Sequence, residues 1–338
     1  MAATDPSLDP TSSVRAAPAR PPADLSTLTR DRLTETADRL AARLSLGDLP
    51  RWFWGEGVAL QGLLAHAAAL GRPVPGLVHD YLAQFDGGIA VGHVNNLLPG
   101  AAALAAGRDD LVAPYLSWAT TAPRDAAGAI EHWPGSVWAD TSYMAGTFMI
   151  ATGDVTLAER QWLAHGALLQ HPRSGLIAHG TWAGKTIWSF WARANAWHAL
   201  AGVALLEAGV DRPEVVDRLV TLLDALCQVQ LPGGLWEVLV DGHPETRGIV
   251  ETSGSAGIAA ALLAATRLGL GDTYAAAGLR TIAALEPYVA ADGTLELVSA
   301  GTVLQLLPFG YSVIRADAMQ LWGQGLGLLA YAEALRAA

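Results

Sequence analysis

The stretch GSAGIAAALLAA, residues 254–265, determines the fold class, because its composition is helical but it has no polar face. A helix that is apolar or small all round is buried all round, and its small residues allow neighbouring helices to come close. The segment 27–46 is of the other kind, with Leu33, Leu40 and Leu44 at helical spacing among charged residues. Such an amphipathic helix covers a core on one side and faces water on the other.

The two kinds of helix alternate along the chain. Helical periodicity predicts twelve helices, at 27–46, 54–71, 74–84, 92–107, 109–121, 138–152, 155–170, 190–208, 212–229, 251–269, 272–290 and 318–337. The even-numbered ones are poor in charge, and six buried helices inside six amphipathic helices predict an all-α fold, an (α/α)6 barrel. A few short strands are expected in loops, at 235–240 and 294–300. An open helical solenoid is the alternative, but the sequence shows no repeat signature.

Length and composition predict one large domain. The chain has 338 residues, 51% of them hydrophobic and 16% charged, which is ample for a core. We expect a single barrel domain over 25–338, after a disordered tail over 1–24 that is rich in Pro, Ala and Ser. The N-terminus has no apolar export segment, and no apolar run reaches the roughly 20 residues that span a bilayer. These observations predict a soluble cytoplasmic protein.

Charge and cysteine content argue against several function classes. The net charge is −11 and there is no basic block, so neither nucleic acid nor a membrane is expected as a partner. The single cysteine, Cys227, excludes an internal disulfide framework and a cysteine-rich metal site. No histidines and carboxylates have persuasive metal-ligand spacing, and no nucleotide-binding loop is present, so no metal and no cofactor is predicted.

Tryptophan is unusually common, with 12 residues against 7 tyrosines and 5 phenylalanines. Core filler would be spread along the helices, but most of the tryptophans lie in or just before clusters that open the even-numbered helices. If the inner helices run parallel, the clusters meet at one mouth of the barrel, where indoles can stack on sugar rings. The clusters are WFWGEG (52–57), HVNN (93–96), WADTSYM (138–144), WARANAW (191–197), ETSGS (251–255) and WGQG (322–325). The alternative interpretation makes Thr252 and Ser253 helix N-caps and Gly323 and Gly325 packing residues.

Asp140 is the residue of these clusters with acid–base chemistry. It opens an apolar helix between Trp138 and Tyr143. Burial can raise a carboxyl pKa by up to about 3–5 units, whereas a helix N-terminus lowers it by less than about one unit, so burial can dominate. A partly protonated Asp140 would serve as a general acid at neutral pH. The alternative is an aspartate that only caps the helix.

A second group of candidates lies on one helix. Arg193 and Trp197 are four residues apart and share a face, beside a second such pair, Trp191 and Asn195. An arginine among aromatic residues is costly unless it meets an anion. That anion is either a carboxylate on a ligand or a neighbouring acid.

The order and spacing of the clusters are similar to those of a known enzyme group. From about residue 50 to the end, the chain resembles the unsaturated uronyl hydrolases of glycoside hydrolase families 88 and 105, and is closer to the unsaturated rhamnogalacturonyl hydrolases of the latter. The resemblance is carried by WADTSYM, the HG of residues 179–180, WARANAW, ETSGSA (251–256) and WGQGLGLLA (322–330). It implies an (α/α)6 barrel, in agreement with the helix pattern.

The resemblance implies hydration of an enol ether. The substrate would be an oligosaccharide or glycoside with a 4,5-unsaturated uronic acid at its non-reducing end, bound by a monomer or homodimer. Asp140, in the D-x-x-Y-M motif, would protonate C4 and take a proton from the water that adds at C5, after which the hemiketal opens and expels the rest of the substrate. The expected substrate-binding residues are Trp54, His93, His132, Trp138, Tyr143, His179, Trp191, Arg193, Asn195 and Trp197.

Two departures from the family pattern bear on the substrate. Family members usually carry a second aspartate at the second inner helix, where this chain has Gly92 or His93, and glycines are common where it has Ala194 and Ala196. A divergent hydratase, isomerase or cyclase on the same scaffold is therefore a second hypothesis. A non-catalytic sugar-binding protein is a third, against which the retained Asp140 argues.

Overall fold

Helices dominate the computed structural model, which describes residues 20–88 and 92–338. One antiparallel hairpin, β1 (Gly180–Trp182) and β2 (Lys185–Ile187), lies between two of them. The helices are α1 (Arg30–Ala42), α2 (Trp54–Ala69), α3 (Gly76–Ala83), α4 (Leu98–Ala105), α5 (Ala113–Thr121), α6 (Asp140–Ala151), α7 (Val155–Leu169), α8 (Ala192–Glu207), α9 (Pro213–Gln228), α10 (Thr252–Arg267), α11 (Thr273–Leu285), α12 (Phe309–Ser312) and α13 (Leu321–Ala337).

Six of these helices form a closed inner ring. In order of contact the ring runs α2, α4, α6, α8, α10 and α13, and α13 packs back onto α2. Outside it, α1 packs on α13, α7 on α6 and α8, α9 on α8, and α11 on α10. Helices α3 and α5 complete the outer layer and bury residues in the same core. The (α/α)6 barrel is therefore confirmed, and contact between the first and last inner helices excludes an open solenoid.

Burial follows the two helix types that the sequence predicts. In α10 every residue of 252–265 is buried, as expected for a helix surrounded by others. In α9 the longer apolar side chains form one buried stripe, whereas the opposite face is charged. The stripe consists of Val215, Leu219, Leu222, Leu223 and Leu226. The apolar fraction of each helix surface thus predicts whether that helix lies in the inner or the outer layer.

Glycine closes the ring at the contact between α2 and α13. A Cβ added at Gly62 would lie 2.5 Å from the carbonyl oxygen of Gly325, which is far inside van der Waals contact. At Gly323 an added Cβ would overlap the side chain of Val298. The interpretation of Gly323 and Gly325 as packing residues is therefore confirmed.

The positions of the predicted strands were wrong. Residues 235–240 and 294–300 contain no strand; they make only isolated bridges, such as Trp191 with Leu239 and Val289 with Leu295. The helix predicted over 92–107 begins late, with one 3-10 turn at Val94–Asn96 before α4.

The N-terminal boundary lies earlier than the predicted residue 25. The backbone N–H of Arg20 donates to the Tyr288 hydroxyl at 2.9 Å, and that of Ala23 donates to the Ala283 carbonyl at 2.9 Å. Residues 20–24 therefore lie against the barrel, and the rest of the predicted tail, 1–19, is outside the described residues. Within the described part of the chain, no helix has the length and hydropathy required to cross a bilayer.

Candidate active site

The inner helices begin at one end of the barrel. Trp54 starts α2, Asp140 starts α6 and Trp191 precedes α8, and all three line one cavity together with Asn95, which precedes α4. At the start of α13, the ring of Trp322 lies 4.4 Å from that of Trp54. These helices are therefore parallel, as expected from the clusters. The positive ends of their dipoles converge on the cavity and favour an anionic ligand.

The cavity has the size and wall of a site for one sugar unit. Its volume is about 280 Å³, at the lower limit of pockets that hold small molecules. Five of its lining side chains are aromatic, which suits stacking on a sugar ring. The lining residues are Phe53, Trp54, Asn95, His132, Trp133, Trp138, Asp140, Trp191, Gly301, Thr302 and Val303.

Asp140 faces this cavity and pairs with a histidine. It is the first residue of α6, whose N-cap is Ala139 with no side-chain capping bond, so the interpretation as a capping aspartate is wrong. Its side chain is 13% exposed, and its Oδ2 lies 3.5 Å from Nε2 of His179. Such a carboxylate–imidazole pair, open to a cavity on one side, can hold and transfer a proton.

The pKa of Asp140 lies below its ordinary value, contrary to the expectation that burial dominates. Burial is the largest single influence and raises the pKa of the carboxyl, but the lowering influences outweigh it, and the interaction with His179 is the largest of these. Asp140 is therefore a carboxylate at neutral pH in the enzyme without substrate. In this state Asp140 can accept a proton and act as a base.

Tyr311 orients the histidine of this pair. Its hydroxyl lies 2.7 Å from Nδ1 of His179 and accepts the backbone N–H of Gln305 at 3.4 Å. Burial raises the pKa of Tyr311, so the phenol keeps its proton and can donate it to Nδ1. That assignment places the imidazole proton on Nε2, towards Asp140. No local pattern marks Tyr311, because α12 and His179 are 132 residues apart in the chain.

His132 and His93 occupy one side of the cavity in different ways. His132 stacks on Trp138 with ring centroids 4.4 Å apart, and its Nδ1 lies 3.0 Å from the Thr141 hydroxyl. Burial lowers the pKa of His132 to about 3, so it is neutral. His93 is not among the lining residues; it packs edge-on against His132 and Trp133, at 5.2 and 5.1 Å. The structure thus places His93, a predicted substrate-binding residue, outside the cavity wall.

Arg193 meets a neighbouring acid. Its side chain is fully buried and forms an ion pair with Glu251, the N-cap of α10, at 3.3 Å. The same guanidinium donates to the carbonyl oxygens of Ser299 and Ala300 at 2.8 and 3.0 Å, and lies 4.2 Å from the ring of Trp191. Arg193 is not in the cavity wall but fixes the loop that supplies Gly301 and Thr302 to it. The N-cap of α10 is Glu251, so the interpretation of Thr252 and Ser253 as N-caps is wrong.

Three further predicted binding residues, Tyr143, Asn195 and Trp197, lie outside the cavity wall. The Asn195 amide exchanges hydrogen bonds with the backbone of Ile177 at 2.8 and 3.0 Å, which holds the segment before His179 against α8. Trp197 is fully buried and stacks on Tyr143 with centroids 5.1 Å apart. None of these three lines the cavity, whereas Trp54, His132, Trp138, Asp140 and Trp191 do.

The buried histidines predict a loss of stability in acid. His198 stacks on Trp162 at 4.5 Å, and burial lowers its pKa to about 3, as it does for His132. Between about pH 6.5 and about pH 3 the unfolded chain binds protons at both histidines and the folded chain does not. The free energy of unfolding is thus expected to decrease as the pH is lowered through this range, by about 1.4 kcal/mol per pH unit for each histidine. Urea unfolding at several pH values measures this slope.

A variant separates this effect from general acid sensitivity. His198→Gln is expected to reduce the slope by about one proton, whatever it does to stability at neutral pH. His79→Gln, on the exposed face of α3, is the matched control and is expected to leave the slope unchanged. Equal slopes in all three proteins would contradict the assignment of neutral, buried His198.

A closed (α/α)6 barrel with a carboxylate–histidine pair at an aromatic, sugar-sized cavity is suited to an enzyme that acts on carbohydrates. The sequence comparison agrees: the model of Glycosyl Hydrolase Family 88 matches residues 111–338. The chain belongs to glycosyl hydrolase family 88 and is a glycosidase. In the described residues, no three His, Cys, Asp or Glu side chains converge as metal ligands.

Individual relatives cover nearly the whole chain. Unsaturated rhamnogalacturonyl hydrolase YesR of Bacillus subtilis (strain 168) is 30% identical, over 90% of this chain and 96% of its own. A possible GH105 family member from Klebsiella pneumoniae has a TM-score of 0.82 at 24% identity, with 95% and 97% of the two chains covered. Unsaturated glucuronyl hydrolase from Bacillus sp. GL1 has a TM-score of 0.66 at 16% identity, with 90% and 96% covered.

Proposed function

We propose that this glycosidase acts on 4,5-unsaturated uronosides by hydrating the C4=C5 bond, with Asp140 as the general acid and base. One observation carries the proposal: among the described residues that line the cavity, Asp140 is the single carboxylate. Ordinary glycoside hydrolysis uses two carboxylates across the scissile bond, about 5 to 9.5 Å apart. Hydration of an enol ether needs one, because the proton delivered to carbon is regained from water.

The binding features suit a monoanionic sugar. Its carboxylate is attracted by the converging helix N-termini, and its ring can stack on the tryptophan walls. Trp191 lines the cavity, and its buried indole N–H has no hydrogen-bond partner within the described part of the chain. The name of the Bacillus subtilis relative, an unsaturated rhamnogalacturonyl hydrolase, supports the same substrate class.

The proton balance explains how a carboxylate in the free enzyme becomes an acid. The substrate carboxylate brings a like charge near Asp140 and displaces water, and both effects raise its pKa, so that it takes up a proton on binding. Asp140 then protonates C4, water adds to C5, and the proton of that water returns to Asp140. The C5 hemiketal opens by cleavage of the C5–O5 bond, and the hemiacetal left at C1 expels the alcohol. Nε2 of His179 lies 3.5 Å from Oδ2 of Asp140, so a small approach lets its N–H hold the carboxylate in position.

The experiment is an ultraviolet assay of the conjugated enol. We expect 4,5-unsaturated uronyl disaccharides to lose this absorbance when mixed with the protein, and the saturated counterparts to be left intact. Cleavage of the saturated sugar would instead indicate ordinary glycoside hydrolysis. Loss of absorbance without release of the alcohol would indicate a hydratase. A cytoplasmic location and a monomeric or homodimeric state stay predictions from the sequence.

A further inference from the structure

The loop that closes the cavity carries a concentrated apolar surface. Eleven large hydrophobic residues of the described chain are exposed, and five of them lie within the eleven positions 303–313. We call this set, Val303, Leu306, Leu307, Phe309 and Val313, the apolar rim; its members are 49–70% exposed. Exposed apolar residues are ordinarily scattered singly, so five of them within one short segment beside a cavity are unusual and point to a binding surface.

The apolar rim is continuous with the cavity and is held in place. Val303 belongs both to the rim and to the cavity wall, and the half-exposed Trp133 also belongs to that wall. Before the rim, Arg193 binds the Ala300 carbonyl; within it, Tyr311 binds His179. These two contacts tie the segment before and within the rim to α8 and to the histidine beside Asp140, and the rim adjoins the cavity at Val303.

Charge around the opening argues against an anionic leaving group. None of the described cavity-lining residues is lysine or arginine. Arg51, which lies over Phe53, pairs with Glu56 at 3.3 Å, and Arg315, just beyond the rim, pairs with Asp317 at 2.8 Å. A second uronate would thus meet cations that already have carboxylate partners, whereas an apolar group would remove exposed side chains from water.

We propose that the rim binds the leaving group, and that the preferred substrates are 4,5-unsaturated uronosides of an apolar alcohol instead of anionic oligosaccharides. This inference rests on the proposed function, since the unsaturated sugar occupies the cavity. It adds the chemical class of the group attached at C1. The reaction that supplies such a substrate is elimination across C4–C5 of a uronoside that already carries this alcohol.

The test compares methyl, butyl and octyl 4,5-unsaturated uronosides, which share one glycosidic chemistry, with an unsaturated diuronate. We expect kcat/KM to rise about twofold per methylene that meets the rim, below the roughly fourfold of full burial, and to exceed that of the diuronate. In the double variant Leu306→Ser and Leu307→Ser, the octyl-to-methyl ratio is expected to fall about tenfold. Because both substrates are measured with the same preparation, the octyl-to-methyl ratio does not depend on the fraction of the variant that is folded. Leu116→Ser on α5, an exposed leucine remote in sequence from the rim, is the control.

The outcomes separate the inference from the function on which it rests. Turnover of all substrates with a flat alkyl series, or with the diuronate preferred, would overturn the apolar leaving group and leave the proposed function standing. Turnover of none would overturn the proposed function itself. If the double variant changed the oligomeric state and left the octyl-to-methyl ratio intact, the rim would be an interface between copies, and the inference would be wrong.

Discussion

Asp140→Asn is expected to reduce kcat on an unsaturated uronoside by about a thousandfold, the typical size of a general acid–base contribution. The amide preserves the shape of the side chain and can still contact His179, but it cannot deliver a proton to C4 or take one from water. Affinity is expected to be retained or increased, because the tryptophan walls and the helix N-termini are intact and the substrate carboxylate no longer faces a second carboxylate. Substrate binding to the inactive variant can be followed by tryptophan fluorescence, since Trp138 and Trp191 line the cavity.

The matched control for this prediction is Asp80→Asn. Asp80 is an exposed aspartate on the outer helix α3, so the same chemical change there is expected to leave kcat within a factor of two. If Asp140→Asn retained more than about a tenth of the activity, the carboxylate would have no acid–base role. If affinity fell as far as kcat, Asp140 would act in binding.

Arg193→Met is expected to lower the free energy of unfolding by about 3–5 kcal/mol, because it leaves the carboxylate of Glu251 buried without its cation. Both side chains are fully buried, and the pair joins the starts of α8 and α10 to the Ser299–Ala300 loop. Urea unfolding measures the loss. Activity is expected to fall as well, since that loop forms part of the cavity wall.

A double-mutant cycle separates this structural role from direct substrate binding. Glu251→Gln alone is expected to be destabilising, and the variant with both changes to lose less than the sum of the two, because no buried charge is left unpaired. A raised KM in Arg193→Met with unfolding free energy unchanged would show that Arg193 binds the substrate carboxylate instead. Arg193→Lys is also expected to destabilise, since an ammonium cannot reproduce the fork of hydrogen bonds.

The site was only partly predictable from the sequence, and the segment WARANAW shows why. Its spacing correctly places Arg193 with Trp197 and Trp191 with Asn195, yet of these four only Trp191 lines the cavity. Helical spacing defines a face but not what that face meets. The anion for Arg193 comes from Glu251, which is 58 residues later in the chain, so no local pattern could choose between it and a ligand.

The sequence alone determined the two kinds of helix, because the polarity of a helix surface is a local property and shows how many of its sides are buried. Closure of the ring was decided by the contact of α13 with α2. The sequence also predicted that Asp140 shares one mouth with Trp54, Trp138 and Trp191, since parallel inner helices bring their first residues to the same end. Only the tertiary structure decided the pKa of Asp140, the orientation of His179 by Tyr311, and the apolar rim. Each of these depends on charges, hydrogen bonds or burial contributed by segments that are distant in the chain. Those segments meet only when the chain is folded.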